Sequence, residues 1–431
     1  MSDNFGRTPL FEQKEVIGLW FPVQSASRRI AGSNFVNRLN PIEGLRAYLA
    51  MWVLVGHVLV ISGYEADQQS GFAWLMGNNL LAVDMFIMVS GFVIFFLLDG
   101  KRETYREFIC RRFFRLYPAF ILLFALAIPI SLLQAWNLQH SRQYLSPGLV
   151  DHFTREFNGS WQHWRWNILW HAAMLHGLVP DPWLKRSTAL AFLGPAWSIS
   201  LEWQFYLIAP LAYWAAVSRR PMHRIGICVF CAYLFWGRNY LPQDVYVGYA
   251  THGAFLPFHV EYFFIGALSY FIFKKMHSAW ADVFFPVSAC AALFLWRSTG
   301  DRFVPICFWI LFMGLLCENP ASYSARIFSP LFNHPIIQFL GRISYSIYLS
   351  HTLIMTAAQY ALLRFLPSLS QDVYFWALLV ATTVGTVLAS AWLYRYVEAP
   401  GIRFGRELAS RLRATPGGFA LAKSQKGDMP S

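Results

Sequence analysis

Residues 80–98 read LLAVDMFIMVSGFVIFFLL, an apolar run in which Asp84 is the only charge. A run of this length is what a helix needs to cross the hydrocarbon core of a bilayer. The whole chain agrees with this stretch: of 431 residues, 56% are hydrophobic and 13% are charged, and the mean hydropathy is +0.38. Soluble proteins carry about 25% charged residues. The composition therefore favours a membrane protein over a soluble chain of about three domains.

Ten stretches have the length and hydropathy of membrane-spanning helices. They are residues 45–64, 80–98, 113–133, 196–217, 222–238, 254–273, 280–296, 302–317, 343–363 and 373–394. An eleventh stretch, residues 166–180, is short and contains His171 and His176. We therefore predict an all-α membrane protein, a bundle of about ten transmembrane helices with an additional short re-entrant or interfacial segment.

The distribution of Lys and Arg predicts the orientation, because these residues are enriched in cytoplasmic loops. Basic residues cluster before the first span, after the second span, in residues 218–224 and in the tail from Arg395 to Lys426. If residues 166–180 do not cross, all of these clusters lie on one side. We therefore predict that both termini are cytoplasmic, and that the net charge of +12 reflects cytoplasmic loops rather than a nucleic-acid partner.

Three segments follow from this topology. We expect a cytoplasmic N-terminal segment at 1–40, a membrane domain at 41–397 and a cytoplasmic tail at 398–431, too short for a further catalytic domain. Cys228 and Cys231 form a CxxC pattern without a second pair or nearby histidines. Because a zinc or redox site needs such partners, small packing residues are the favoured interpretation, and we predict no metal and no bound cofactor.

Two ionisable residues fall within the first predicted span. Arg46 and His57 are eleven residues apart, which places them on one face of a helix and about 16 Å apart along its axis. Charges inside a span cost on the order of 2.5–3.5 kcal/mol on insertion scales, so each requires a reason. The alternatives to a functional role are an interfacial anchor for Arg46 and a hydrogen-bonded packing role for His57.

Glu202 adds a carboxylate at a similar depth. It lies about six residues into a span that enters from the opposite side, so we expect it at nearly the level of His57. An imidazole and a carboxylate at one depth are candidates for a base and its orienting group. The structural alternative is a buried polar pair that holds two helices together.

Further charges lie near the ends of the predicted spans. Arg112 and Arg115 begin the third span at i, i+3 spacing, so they share a face. Two guanidiniums so placed can bind phosphates bidentately, although a topology anchor explains them equally well. Asp84 is expected as a capping or water-facing residue. Structural polar packing is the favoured interpretation for His259, Glu261 and His351.

Several motifs occur in a recognisable order. They are IEGLRA at 42–47 followed by His57, VDMF at 83–86 leading to SGF at 90–92, RRFFRLYP at 111–118, PAWSISLEWQFY at 195–206, LGRISYSIYL at 340–349 before His351, and VEAP at 397–400. In this order they resemble the acyltransferase type 3 family of integral membrane acyltransferases, over residues 40–403. The chain departs from the family, which usually has Asp at position 43, a second acid at 203 and Lys at 399.

The resemblance implies O-acyl transfer, usually of an acetyl group, from cytoplasmic acyl-CoA to a hydroxyl of an extracytoplasmic carbohydrate such as exopolysaccharide or lipopolysaccharide. Acyl-CoA (acetyl-CoA) would then be a co-substrate. The protein would lie in the lipid bilayer of a bacterial cytoplasmic (inner) membrane, with its oligomeric state left open.

The resemblance also assigns roles to residues. His57 matches the histidine to which catalysis in the family is assigned, and Arg112 and Arg115 match its RxxR motif. We predict that these two arginines and Arg46 bind the CoA phosphates. His57 would take the proton of the sugar hydroxyl or accept the acyl group transiently, while Glu202 orients the imidazole. Acceptor-side or structural polar positions are expected for Asp84, Trp197 and Tyr206.

Other classes of protein also place ionisable residues within the membrane. Arg, His and Glu on ten helices are compatible with a proton-coupled transporter or a flippase. We find no repeated half and no paired Gly/Pro-broken helices, which such transporters commonly have. An acyl relay to a separate transferase is a third possibility. The ordered motifs favour the acyltransferase.

Overall fold

The computed structural model of the protein describes residues 39–65, 70–100, 103–179, 188–237, 254–275, 288, 290–291, 303–318 and 322–413. Within these ranges the secondary structure is helical and includes no β-strand, which confirms the all-α prediction. The helices are α1 (Asn40–Ile61), α2 (Gly71–Gly77), α3 (Leu80–Gly100), α4 (Tyr105–His140), α5 (Pro147–Gln162), α6 (Trp164–Ala172), α7 (Trp197–Val217), α8 (Pro221–Gly237), α9 (Val260–Lys275), α10 (Val304–Cys317), α11 (Tyr323–Asn333), α12 (Pro335–Arg342), α13 (Ser344–Phe365), α14 (Gln371–Leu393) and α15 (Ala399–Arg413). A π-helical turn, Tyr394–Glu398, joins α14 to α15.

Four of the described helical stretches are long and apolar enough to cross a membrane. They are α1, α3, α4 and the continuous stretch Gln371–Leu412, and α10 is a shorter apolar helix. Helices also occupy the predicted spans 196–217, 222–238, 254–273 and 343–363. Helices α8 and α9, with 17 and 16 residues, both end at the edge of the described ranges. A bundle of about ten spans is therefore not confirmed.

Some sequence predictions concern residues outside the described ranges. The predicted span 280–296 lies almost entirely outside them, as do nearly all of the predicted N-terminal segment 1–40 and the tail beyond residue 413. The predicted orientation of the termini stays a prediction.

The short segment at 166–180 forms α6 and a 3₁₀ turn, His176–Leu178. With nine residues, α6 rises about 13.5 Å, less than half of a ~30 Å hydrocarbon core. The rings of His171 and His176 stack with their centroids 4.0 Å apart, and His176 Nε2 lies 2.9 Å from the carbonyl oxygen of Ala196. Because Ala196 directly precedes α7, this contact fixes the start of the helix that carries Ser198 and Glu202.

Helices α3 and α9 pack with their backbones in close contact. A Cβ atom at Gly266 would lie 2.0 Å from the carbonyl oxygen of Met88, and one at Gly91 would lie 2.4 Å from that of Phe263. Only glycine fits at both positions, as at other close crossings of membrane helices. This crossing sets how far Asp84 and Ser90, both on α3, lie from the start of α9.

The start of α4 positions the two predicted arginines. A capping box forms here, since Glu107 N–H donates to the Thr104 side chain and Thr104 N–H donates to the Glu107 carboxylate. Helix α15 lies along the same region of α4, with Gly401 and Gly405 close to Phe114. The turn of α4 that contains Arg112 and Arg115 therefore packs against α15.

Candidate active site

Two adjoining cavities contain most of the predicted site residues. The arginine cavity encloses about 100 Å³ and is lined by Arg46 and Arg112. The histidine cavity encloses about 910 Å³ and is lined by His57 and His259. Val83 and Tyr348 line both. The cavities therefore share part of a wall, which the bulky Tyr348 side chain dominates.

The arginine cavity combines cations with carboxylates. Arg46 lies 3.7 Å from Glu43, one turn earlier on α1. Glu202 accepts hydrogen bonds from the Tyr206 hydroxyl and, at 3.4 Å, from the Ser90 hydroxyl. Tyr206, predicted as an acceptor-side or structural polar residue, lies in this cavity with the arginines.

Arg112 is the cation of this cavity with spare hydrogen-bonding capacity. Its guanidinium lies 5.6 Å from the Phe108 ring centroid and 5.8 Å from that of Tyr206. Its buried Nε has no hydrogen-bond partner among the described residues. A buried N–H without a partner costs free energy, so this group favours binding of an acceptor oxygen from a ligand.

Arg115 is not part of the cavity lining. Its guanidinium forms a buried salt bridge with Glu398, whose second oxygen accepts a 2.7 Å hydrogen bond from Ser346 Oγ. Its guanidinium carbon also lies 5.1 Å from the Tyr345 ring centroid. The i, i+3 spacing that suggested a shared phosphate site does not bring Arg115 to the cavity with Arg112, because Arg115 pairs with Glu398 in the π-helical turn.

His57 is held by one of its two ring nitrogens. Nδ1 lies 2.9 Å from the carbonyl oxygen of Val53, 3.0 Å from Nδ2 of Asn79 and 3.4 Å from Nε2 of His351. Two acceptors, the Val53 carbonyl and His351 Nε2, face Nδ1 against one donor, the Asn79 amide, so we place the proton on Nδ1. Nε2 is then the basic nitrogen, and no described residue forms a hydrogen bond with it.

His351 completes an imidazole pair. Its Nδ1 lies 2.7 Å from the carbonyl oxygen of Tyr348, which assigns the proton to Nδ1 and leaves Nε2 as an acceptor towards His57 Nδ1. The two ring centroids are 5.0 Å apart. Sequence reasoning placed His351 in structural packing. The sequence does place His351 three residues after Tyr348, on the same turn of α13. In the structure Tyr348 forms the shared wall and His351 contacts His57.

Glu202 does not orient His57 in this structure. The described partners of Glu202 are Tyr206 and Ser90, and those of the His57 imidazole are Val53, Asn79 and His351. The depth argument predicts only that Glu202 and His57 lie at a similar height in the membrane. It does not predict which way each side chain points around its helix axis, and the two residues line different cavities. A backbone carbonyl performs the orienting role that the sequence assigned to a carboxylate.

Asp84 and Trp197, predicted as acceptor-side or structural polar residues, line the same cavity as His57. Asp84 Oδ1 is 3.4 Å from His259 Nδ1, and the Trp197 ring centroid is 5.9 Å from that of His259. Sequence reasoning assigned His259 to structural packing. His259 and Asp84 are 175 residues apart in the sequence, so their contact can be found only from the folded structure.

The wall residue Tyr348 is fixed by a residue of α7. Its hydroxyl forms a 2.8 Å hydrogen bond with Ser198 Oγ, and Ser198 also lines the arginine cavity. Sequence reasoning assigned no role to Tyr348. Tyr348 thus lies between the cavity lined by Arg46 and Arg112 and the cavity lined by His57.

Comparisons with known proteins show which family the chain resembles. The profile of the Acyl_transf_3 family, an acyltransferase domain, matches residues 40–395. Acyltransferase MdmB of Streptomyces mycarofaciens is 32% identical over 201 residues, covering 45% of this chain and 43% of that protein. O-acetyltransferase OatA of Staphylococcus aureus is 25% identical over 415 residues, covering 88% of this chain and 60% of that protein.

The matched parts thus span about half of the length of these curated relatives. No solved structure matches significantly. The family profile covers most of the membrane helices described above, including those that carry Arg46, His57, Arg112 and Glu202. The chain therefore belongs to the acyltransferase type 3 family.

Proposed function

We propose that this protein is a membrane-embedded O-acyltransferase that moves an acyl group, typically acetyl, from cytoplasmic acyl-CoA to a hydroxyl of an extracytoplasmic carbohydrate. The observation that carries the proposal is the pair of cavities that share Tyr348, with arginines in one and the free Nε2 of His57 in the other. The names of the relatives support acyl transfer, and OatA supports transfer of acetyl to oxygen.

The donor is assigned to the arginine cavity. Arg112 is the main candidate for binding CoA phosphates, since Arg46 already has Glu43 within 3.7 Å. The phosphates would lie at Arg112, and the pantetheine arm would extend past the shared wall and bring the thioester towards His57.

Acyl transfer needs a nucleophile and a route for its proton. His57 Nε2 carries a lone pair, because Nδ1–H is directed at the Val53 carbonyl. This nitrogen would take the proton of an incoming hydroxyl or would itself accept the acyl group transiently. His351 Nε2, 3.4 Å from Nδ1, would stabilise the charge that develops on the His57 ring.

The acceptor is assigned to the histidine cavity. Its volume of about 910 Å³ lies in the range of ligand-binding pockets. Trp197 supplies an aromatic face, and Asn79, Asn137 and Gln359 supply hydrogen-bonding groups along the lining. This combination suits the hydroxyl groups and apolar faces of a sugar.

The proposal is tested by mass spectrometry of surface glycans from bacteria with and without the gene. We expect an acyl ester that appears only when the gene is present. Identical glycan profiles, with the protein shown to be in the membrane, would contradict the proposal. Such profiles together with solute uptake that consumes no acyl-CoA would indicate a transporter instead.

A further inference from the structure

The histidine cavity contains a second imidazole, which is paired with a carboxylate. His259 immediately precedes α9, and its Nδ1 lies 3.4 Å from Oδ1 of Asp84 on α3. The His259 side chain is 14% exposed and the Asp84 side chain 16%, and both line the histidine cavity. We propose that Asp84 and His259 form the acid–base pair that activates the acceptor hydroxyl, which leaves His57 to act on the acyl group. This inference rests on the proposed function.

The orientation of His259 suits a general base. A carboxylate beside Nδ1 favours the proton at that nitrogen, so Nε2 keeps its lone pair. The buried Nδ1 makes no ideal hydrogen bond to any described residue. Such contacts are often long in the absence of substrate and tighten in the reactive complex. Asp84 is thus placed to stabilise the imidazolium that forms when His259 takes a proton.

A separate base resolves a conflict in the chemistry of His57. Its only available nitrogen is Nε2, because Nδ1 is directed at the Val53 carbonyl. If Nε2 carries the acyl group, it cannot take the proton of the hydroxyl that attacks this group. A second basic nitrogen in the same cavity removes the conflict, and His259 provides it.

The chain places the two histidines within reach of one substrate. Asn79 Nδ2 lies 3.0 Å from His57 Nδ1, and Asp84 follows five residues later, about 7.5 Å along the helix axis. Val83, next to Asp84, lines both cavities. An acyl group that passes the shared wall therefore arrives near Asp84, where an acceptor bound in the histidine cavity can reach it.

The surroundings of the pair suit a carbohydrate alcohol. The ring of Trp197 has its centroid 5.9 Å from that of His259. An aromatic face beside a carboxylate combines an apolar surface with a strong hydrogen-bond acceptor. A second pair in this cavity, His152 and Glu156, is less suitable, because 48% of the His152 side chain is exposed.

The reaction balances in two steps. First, His57 Nε2 attacks the thioester carbonyl, a C–N bond forms, the C–S bond breaks and CoA leaves as the thiolate. Second, the acceptor hydroxyl gives its proton to His259 Nε2, its oxygen attacks the acyl carbon, and the C–N bond to His57 breaks. The proton on His259 then passes to the thiolate or to solvent, so the products are the ester and CoA.

The test uses the full-length protein in lipid nanodiscs with acetyl-CoA as donor. Acceptors are octyl β-glucoside, ethanol and the more acidic alcohol 2,2,2-trifluoroethanol. Single-turnover CoA release and ester formation are measured for wild type, His259→Ala, Asp84→Asn and His57→Ala. His223→Gln is the matched control, because His223 is hydrogen-bonded to Ser218 and lines neither cavity.

We expect His259→Ala to form ester from octyl β-glucoside 10²- to 10⁴-fold more slowly, as for loss of a general base. It should still release about one CoA per protein, whereas His57→Ala should release none. The deficit should shrink with trifluoroethanol relative to ethanol, since an acidic alcohol needs less help from a base. Added imidazole should restore part of the rate, and Asp84→Asn should show a smaller deficit of the same kind.

Three results would overturn the inference. Ester formation by His259→Ala within threefold of wild type would remove its role as base. An equal deficit with both alcohols and no effect of imidazole would indicate a purely structural role. If wild type released no CoA with any acceptor, both the inference and the proposed function would fail, whereas the first two results leave the proposed function standing.

Discussion

The buried salt bridge between Arg115 and Glu398 makes a strong prediction about stability. Glu398 is 1% exposed, and its two oxygens accept hydrogen bonds from Arg115 and from Ser346. The substitution Glu398→Gln keeps the shape of this side chain but removes its charge. The new amide also presents an N–H group to one of two existing donors.

The expected loss follows from the burial of both partners. The side chains of Arg115 and Glu398 are 8% and 0% exposed, so water cannot replace the lost carboxylate. Removing one partner of a buried ion pair typically costs about 3–5 kcal/mol. We therefore expect Glu398→Gln to lower the free energy of unfolding by about that amount. Replacing both residues by Met should restore most of it, because no buried charge is then left unpaired.

The assay is SDS-induced unfolding of the purified variants in mixed micelles, followed by tryptophan fluorescence. Glu407→Gln, on the exposed side of α15, is the control and should unfold like wild type. The double Met variant should bind acyl-CoA as well as wild type does, because Arg115 does not line the arginine cavity. A loss below about 1 kcal/mol for Glu398→Gln would refute the reasoning, since exposed pairs contribute about that much. Loss of acyl-CoA binding by the folded double variant would return Arg115 to the donor site.

Three further predictions concern donor binding, packing and pH. Arg112→Ala should weaken acyl-CoA binding by about 10- to 150-fold, the equivalent of 1.5–3 kcal/mol for a hydrogen bond to a charged group, and isothermal titration checks this. Gly266→Ala should lower the melting temperature, because the new Cβ would lie 2.0 Å from the Met88 carbonyl oxygen. The control Gly226→Ala should leave the melting temperature unchanged, because nothing lies within 4 Å of its Cβ position. Equal melting curves for the two variants would contradict the α3–α9 crossing. Burial raises the pKa of Glu156 in α5 from 4.5 to about 7. The folded state is fully stabilised by protonated Glu156 below pH 4.5, and this stabilisation is lost as the pH rises through 7. Glu156→Gln should therefore be more stable than wild type at pH 8.5 but not at pH 4. A stability difference that does not change with pH would refute this.

Much of the fold can be predicted from local composition. The apolar run at 80–98 becomes α3, and the run at 373–394 becomes α14, because hydropathy and length are local properties. The number of true spans is harder to predict. Among the described residues four helical stretches are long and apolar enough to cross a membrane, fewer than the ten that hydropathy along the sequence predicts.

The site was partly predictable for a different reason. Helical periodicity places Arg46 and His57 on one face of α1, yet they line different cavities, because eleven residues of helix separate them along the axis. Spacing cannot show which distant residue approaches. Glu398, which neutralises Arg115, is 283 residues away, and His351, which contacts His57, is 294 residues away. Such pairings depend on how the helices rotate and pack, which one sequence does not encode locally.

The most direct measurement of the central claim compares acetyl transfer by wild type and His57→Ala. Each is reconstituted in proteoliposomes with radiolabelled acetyl-CoA and a membrane glycan extract, after insertion and thermal stability have been matched. The account predicts labelled ester for wild type and a loss of at least 10²-fold for His57→Ala, the scale of general-base or nucleophilic catalysis. Full transfer by an inserted, stable His57→Ala protein would contradict the account.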